Sequence, residues 1–126
     1  MLAGCTIDER PSLDQMLPPQ VGQYVRITGP ALDLDTGIDY AEYQGPEGSV
    51  TIRIKLVGKD QVAHALSQLP PNVTDARVDP ALGARAGSFF TFAGEYHAVW
   101  GSGDWVFILS TPVDSARAAF ISNYGF

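Results

Sequence analysis

The sequence predicts an α+β fold, a two-layer sandwich in which a mostly antiparallel sheet of about six strands carries two helices on one face. Three observations lead there. Short apolar runs are separated by glycine-containing turns, the pattern of hairpin-linked strands. Two stretches carry apolar residues at helical spacing along one side only. The order aromatic strand, glycine turn, β-branched strand, helix occurs twice. Helices with a single apolar stripe must bury it against something, and a sheet face is the nearest partner.

The most apolar stretch, Glu95 to Leu109, reads as a hairpin about Gly101-Ser102-Gly103. A three-residue loop there sets Ala98 opposite Val106 and Tyr96 opposite Ile108. Because side chains alternate along a strand, one face then holds His97, Val99, Trp105, Phe107 and Leu109. The other holds Tyr96, Ala98, Trp100, Val106 and Ile108. Both faces are largely apolar, so both need a cover.

Asp39 to Leu56 has the same plan. A turn over Gly45 to Gly48 pairs Tyr43 with Val50 and Ala41 with Ile52. The face Ala41, Tyr43, Val50, Ile52, Ile54 is apolar, and the face Tyr40, Glu42, Thr51, Arg53, Lys55 is polar. Tyr40 precedes Tyr96 by 56 positions and Leu66 precedes Ile121 by 55, which suggests an internal β-β-β-α duplication.

The other elements follow in order. Val21 to Thr28 reads as a strand closed by Gly29-Pro30. Asp33 to Asp39 alternates carboxylates with a glycine, as a calcium loop does, but Gln44 stands where a closing glutamate is needed. An Asp/Gly turn is the better reading. Val62, Ala65, Leu66 and Leu69 form a helical stripe, with Asp60 as cap and Pro70-Pro71 as stop. His64 falls off that stripe, toward solvent. Asn72 to Ala86 is a connection long enough to hold a short strand or helical turn. Ser88 to Phe92 is a strand. Thr111-Pro112-Val113-Asp114 starts a last helix whose buried stripe is Ala116, Phe120, Ile121 and Tyr124.

At 126 residues the chain makes one domain with room for a real core. Its net charge of −6 argues against a nucleic-acid partner. It has no lysine- or arginine-rich run to hold a membrane surface, and no stretch apolar enough to span a bilayer. The single cysteine, Cys5, excludes an intramolecular disulfide. Leu2-Ala3-Gly4-Cys5 resembles the lipobox of bacterial lipoproteins, in which the signal peptide is cleaved before the cysteine and the cysteine is lipidated. The match covers those four residues; the basic and apolar regions of that family's leader would lie upstream of Met1. The resemblance implies an extracytoplasmic domain held to the membrane of a bacterial cell envelope by lipid on Cys5. Residues 1–20, with Pro11, Pro18 and Pro19, then read as lipobox and flexible tether, and 21–126 as the domain.

No nucleophile–base pair, phosphate loop or zinc spacing stands out, so no catalytic residue, cofactor or metal site is assigned. His97 reads as a core histidine beside Phe107, hydrogen-bonded to backbone. The leading expectation is a module that binds another protein, or a second copy of itself, through Tyr96, Ala98, Trp100, Val106 and Ile108. Trp100 and Tyr96 are the residue types that anchor interfaces, and Trp100→Ala should weaken association with the fold intact. The alternative is a small-ligand-binding protein or enzyme with a pocket at that sheet face or between subunits, Tyr40, Arg53 and Tyr96 supplying polar contacts.

Overall fold

A computed structural model describes residues 12–126; Cys5 and its neighbours lie outside the described residues. The strands are β1 (Gln20–Val21), β2 (Tyr24–Asp33), β3 (Ile38–Gly45), β4 (Gly48–Leu56), β5 (Thr74–Arg77), β6 (Gly87–Phe92), β7 (Glu95–Ser102) and β8 (Trp105–Thr111). They form one eight-stranded antiparallel sheet in the order β1-β2-β3-β4-β8-β7-β6-β5. The helices are α1 (Leu13–Met16), α2 (Val62–Leu66) and α3 (Asp114–Ser122).

Two parts of the expected two-layer sandwich are corrected. The sheet has eight strands, not about six: the stretch Val21 to Thr28, read as one strand, is split at Gly22-Gln23 into the edge strand β1 and β2, and β5 arises in the segment read as connection. The two stripe-bearing helices lie on opposite faces. On the inner face, Ala116, Phe120 and Ile121 of α3 join one core with Ala41, Tyr43, Ile52, Trp100 and Phe107. On the outer face, Val62, Ala65 and Leu66 of α2 pack over a second cluster of Phe90, Val99 and Val106. The physical reason is the two-sided apolar character of β6 to β8. A cover on one side only would leave the other apolar face in water.

The tether boundary also moves. Ser12 caps α1 through a capping box with Gln15. Met16 and Leu17 are buried in the inner core. Tyr43 Oη donates to Pro18 O at 2.7 Å, and Tyr124 Oη donates to Met16 O. Residues 12–20 therefore belong to the folded domain rather than to a flexible lead.

The first hairpin has the expected register, with Tyr43 opposite Val50 and Ala41 opposite Ile52. The second does not. Its loop is the two-residue Gly103-Asp104 turn, with Gly103 at φ +60, the glycine-first pattern of a type II′ turn. Trp100 thus pairs with Phe107, Ala98 with Leu109 and Val99 with Ile108. The shift from the expected register is odd, so it carries β8 to the other face relative to β7. The first strand also runs past Gly29-Pro30 to Asp33. Beyond Val25 it is the open edge of the sheet, where proline's missing N–H breaks no ladder.

The hairpins are related by a local two-fold axis. Ala98 follows Ala41 by 57 positions, as Leu109 follows Ile52, and the pair Ala41↔Ile52 maps onto Ala98↔Leu109. Ile52 is itself paired with Leu109, so the axis passes between them, normal to the sheet. The offsets of 56 and 55 matched Tyr40 with Tyr96, which stand on opposite faces. Such an axis keeps helices on one face, so α2 and α3 fall outside it, and a full β-β-β-α duplication does not describe the chain.

Candidate functional site

Two local features place α2 over the second hairpin. After β4, the backbone N–H groups of Val57 and Gly58 both donate to Asp104 O at 3.0 Å, pinning the outgoing chain to the hairpin tip. Gly101 then leaves room for the helix. A Cβ on it would lie 2.4 Å from Val62 Cγ1 and 3.5 Å from Leu66 Cδ1. Val62 and Leu66 consequently sit directly on the sheet at one end of α2.

Toward the other end the helix and sheet part, leaving a pocket of about 560 Å³. Its floor is Phe90 and Phe92 of β6, His97 and Val99 of β7, and Val106 and Ile108 of β8. Its roof is His64, Ala65, Gln68, Leu69 and Pro70, and Lys55 and Val57 close one side. This is within the usual span of small-molecule sites, roughly 300–1,000 Å³. Both histidines of the chain line it.

His97 is half-buried, stacked on Phe90 at 5.2 Å between centroids, with Nε2 3.3 Å from Phe92 O. A backbone carbonyl only accepts, so Nε2 carries the proton. Burial holds the His97 pKa below the ordinary histidine value, and Arg53 and Arg117 push the same way, against the Phe92 hydrogen bond and Glu95. The expected backbone-bonded histidine is present, but it pairs with Ser110, not Phe107, and looks into the pocket rather than under α3. His64 is exposed at the rim.

The five residues expected to share one interface face are divided. Ala98 and Trp100 are fully buried in the inner core, and Tyr96, on the same side, lies beneath the Arg117 guanidinium at 5.4 Å. Val106 and Ile108 belong to the outer cluster. Of the polar contacts expected for a pocket, Arg53 stands on the outer face beside Ile108, and Tyr40 is its neighbour across β3. Tyr96 lies on the other side of the sheet.

Arg117 was missed. It is 1% exposed, donates to Phe90 O at 3.2 Å and His97 O at 3.0 Å, pairs with Asp114 at 2.6 Å, and lies 4.3 Å over the Phe89 ring. The signal was present: Arg117 sits between Ala116 and Phe120 on the apolar stripe, where helical spacing sends it inward.

Elsewhere the chemistry is structural. Asp33 Oδ1 accepts from Asp35 N–H at 2.9 Å, closing the acidic segment as an Asx turn. Among the described residues no cluster of three or more metal-ligating side chains occurs. Burial pushes the Tyr43 phenol up to about 12 and raises Tyr24 and Tyr124 as well, so these three act as neutral donors. A shallower hollow of about 430 Å³ beside Arg85 is tied up structurally. That guanidinium binds the carbonyls of Leu82, Ile121, Tyr124 and Phe126 and closes the C-terminus.

An eight-stranded antiparallel sheet with α1 and α3 on its inner face, α2 on its outer face and an apolar pocket under α2 defines the fold of the described residues. Comparison with protein-family models, with curated proteins and with solved structures finds no match.

Proposed function

We propose that this is a small-ligand-binding domain whose site is the pocket between α2 and the outer face of the sheet. The observation that carries this is a pocket of about 560 Å³ floored by aromatic and branched side chains on three adjacent strands. Strands hold the floor rigid. The roof is a helix of only five residues, too short to be stable apart from its packing, so it can shift to admit a ligand. The lipobox-like Leu2-Ala3-Gly4-Cys5 supports an extracytoplasmic address with lipid on Cys5; labelled palmitate incorporated in a bacterial host by the chain expressed with its upstream coding sequence, and lost in Cys5→Ser, tests that part.

The binding test uses 1-decanol as an uncharged apolar probe. A ligand at a hundred times its dissociation constant stabilises a fold by about 2.7 kcal/mol, visible as a raised melting temperature. Wild type is expected to show the rise. Ala65→Trp and Ile108→Trp, which fill the pocket from roof and floor, are expected not to. No rise in wild type, or an equal rise in both variants, refutes the reading.

One observation favours a second reading, association with a protein or a second copy. On β2, Val25 is 51% and Ile27 61% exposed. A molar mass by light scattering that falls to the monomer in Ile27→Lys would support it, and a monomeric wild type that captures no partner would remove it.

A further inference from the structure

We infer that the ligand is an amphiphile with one anionic end, of the fatty-carboxylate type, its chain on the outer-face floor and its carboxylate at Lys55 and Arg53. The inference rests on the pocket being a ligand site.

Charge placement carries it. The chain is acidic overall, with eight Lys and Arg against fourteen Asp and Glu. The pocket departs from that balance: Lys55, His64 and His97 line it, and no carboxylate among the described residues does. Lys55 and Arg53 occupy successive outward positions on β4. Lys55 is directly opposite Val106 and Arg53 directly opposite Ile108, both floor residues. Each cation therefore stands beside apolar floor.

These cations are also uncommitted. The ion pairs among the described residues use Arg26, Arg77 and Arg117. Neither Lys55 nor Arg53 has a carboxylate within 4.0 Å there; Arg53 only reaches Ser110 Oγ, at 3.3 Å. An apolar floor cannot solvate a charge, so a ligand's charged end must stay at the rim. Lys55 and Arg53 put two cations at the rim on the β4 side, against Glu42 one pair further along beside Thr51, which favours an anion and opposes a cation.

The experiment is titration calorimetry of the full chain with decanoate, 1-decanol and decyltrimethylammonium, at low and high salt. Decanoate is expected to bind at least about fivefold tighter than the other two, an advantage that shrinks with salt. Arg53→Gln with Lys55→Gln, which keep side-chain bulk at the wall, is expected to bring the ratio of decanoate to 1-decanol affinity down to about one, with circular dichroism showing that the variant is folded. Equal affinity for all three probes, or decanoate binding untouched by the double variant, overturns the anionic-ligand inference and leaves the pocket standing. Failure of every probe to bind wild type overturns the pocket reading, and this inference with it.

Discussion

Trp100→Ala separates an interface anchor from a core residue. Trp100 is fully buried and stacks on Phe107 at 5.5 Å between centroids. Its indole also meets Tyr124 edge-on at 6.1 Å and lies under the Arg85 guanidinium at 5.9 Å. Truncating a buried aromatic of this size costs about 3–5 kcal/mol through lost transfer energy and the cavity left behind. One term opposes this. Trp100 Nε1 is buried without a hydrogen-bond partner among the described residues, and removing an unsatisfied donor returns about 1–3 kcal/mol. Taking the middle of each range, the net expectation is a loss of about 2 kcal/mol. Against the usual 5–15 kcal/mol for a domain, that is a large share. Urea unfolding followed by far-ultraviolet circular dichroism gives the number, with an unchanged slope confirming that stability rather than compactness has moved. A variant within about 0.5 kcal/mol of wild type would refute the inner-core placement. Trp100→Phe isolates the opposing term: it keeps a ring against Phe107, removes the unpaired donor, and is expected to cost less than half as much.

Other substitutions test the site and its supports. Gly101→Ala drives a methyl into Val62 of a short helix that can yield. We expect a cost of about 1–2 kcal/mol, faster amide exchange in α2 and weaker 1-decanol binding, with exchange in β3 and β4 unchanged. Gly87→Ala meets backbone instead, with its Cβ 2.1 Å from Val99 O and 2.8 Å from Trp100 Cα, so it is expected to destabilise by about 3 kcal/mol or more; equal effects at the two glycines would contradict the contacts. Burial lowers the folded-state pKa of His97, so as pH falls the unfolded chain takes up that proton first. Its contribution is complete above the unfolded value of about 6.5 and is lost as pH drops through the lowered folded value. Wild type should therefore lose more stability than His97→Gln between pH 7.5 and pH 5, and parallel losses would refute the burial. Asp114 is 61% exposed while Arg117 is 1% exposed. Asp114→Asn should cost only about 1 kcal/mol, since solvent screens the pair, while Arg117→Ala also strips the Phe90 and His97 carbonyls and should cost several-fold more by the same urea assay.

The legible parts of the fold were those with local physics behind them. The first hairpin could be read to the residue because its faces differ: Tyr43, Val50 and Ile52 inward and Glu42, Thr51 and Lys55 outward admit only one register. In the second hairpin Val99, Trp100, Val106 and Phe107 are apolar in sequence order, so sliding the register changed which face was apolar without making either face wrong. Only the length of the glycine loop could decide, and Gly101-Ser102-Gly103-Asp104 is compatible with more than one turn. The stripe of α3 was legible because Ala116, Phe120, Ile121 and Tyr124 repeat at helical spacing; Arg117 lay on that stripe and was passed over because charge was read as surface. A pocket at the apolar sheet face was legible only as an alternative, with Val106 and Ile108 in its floor; its helical roof was not. His64 and His97 are far apart in sequence, and nothing local says that a helix after β4 will fold back over β6 to β8.

The amino-acid order alone settles that two hairpins exist, which residues turn in the first, and that the second hairpin is apolar on both sides. It also settles the acidic charge and the single cysteine. These are properties of short windows, governed by periodicity, turn chemistry and composition. Tertiary structure decided which face each strand of the second hairpin presents, which helix covers which face, and that Lys55 and Arg53 stand beside the outer floor. Those outcomes depend on burying two apolar surfaces at once. That requirement is met only when β4 and β8 pair and α2 and α3 take opposite sides, and no single segment encodes it.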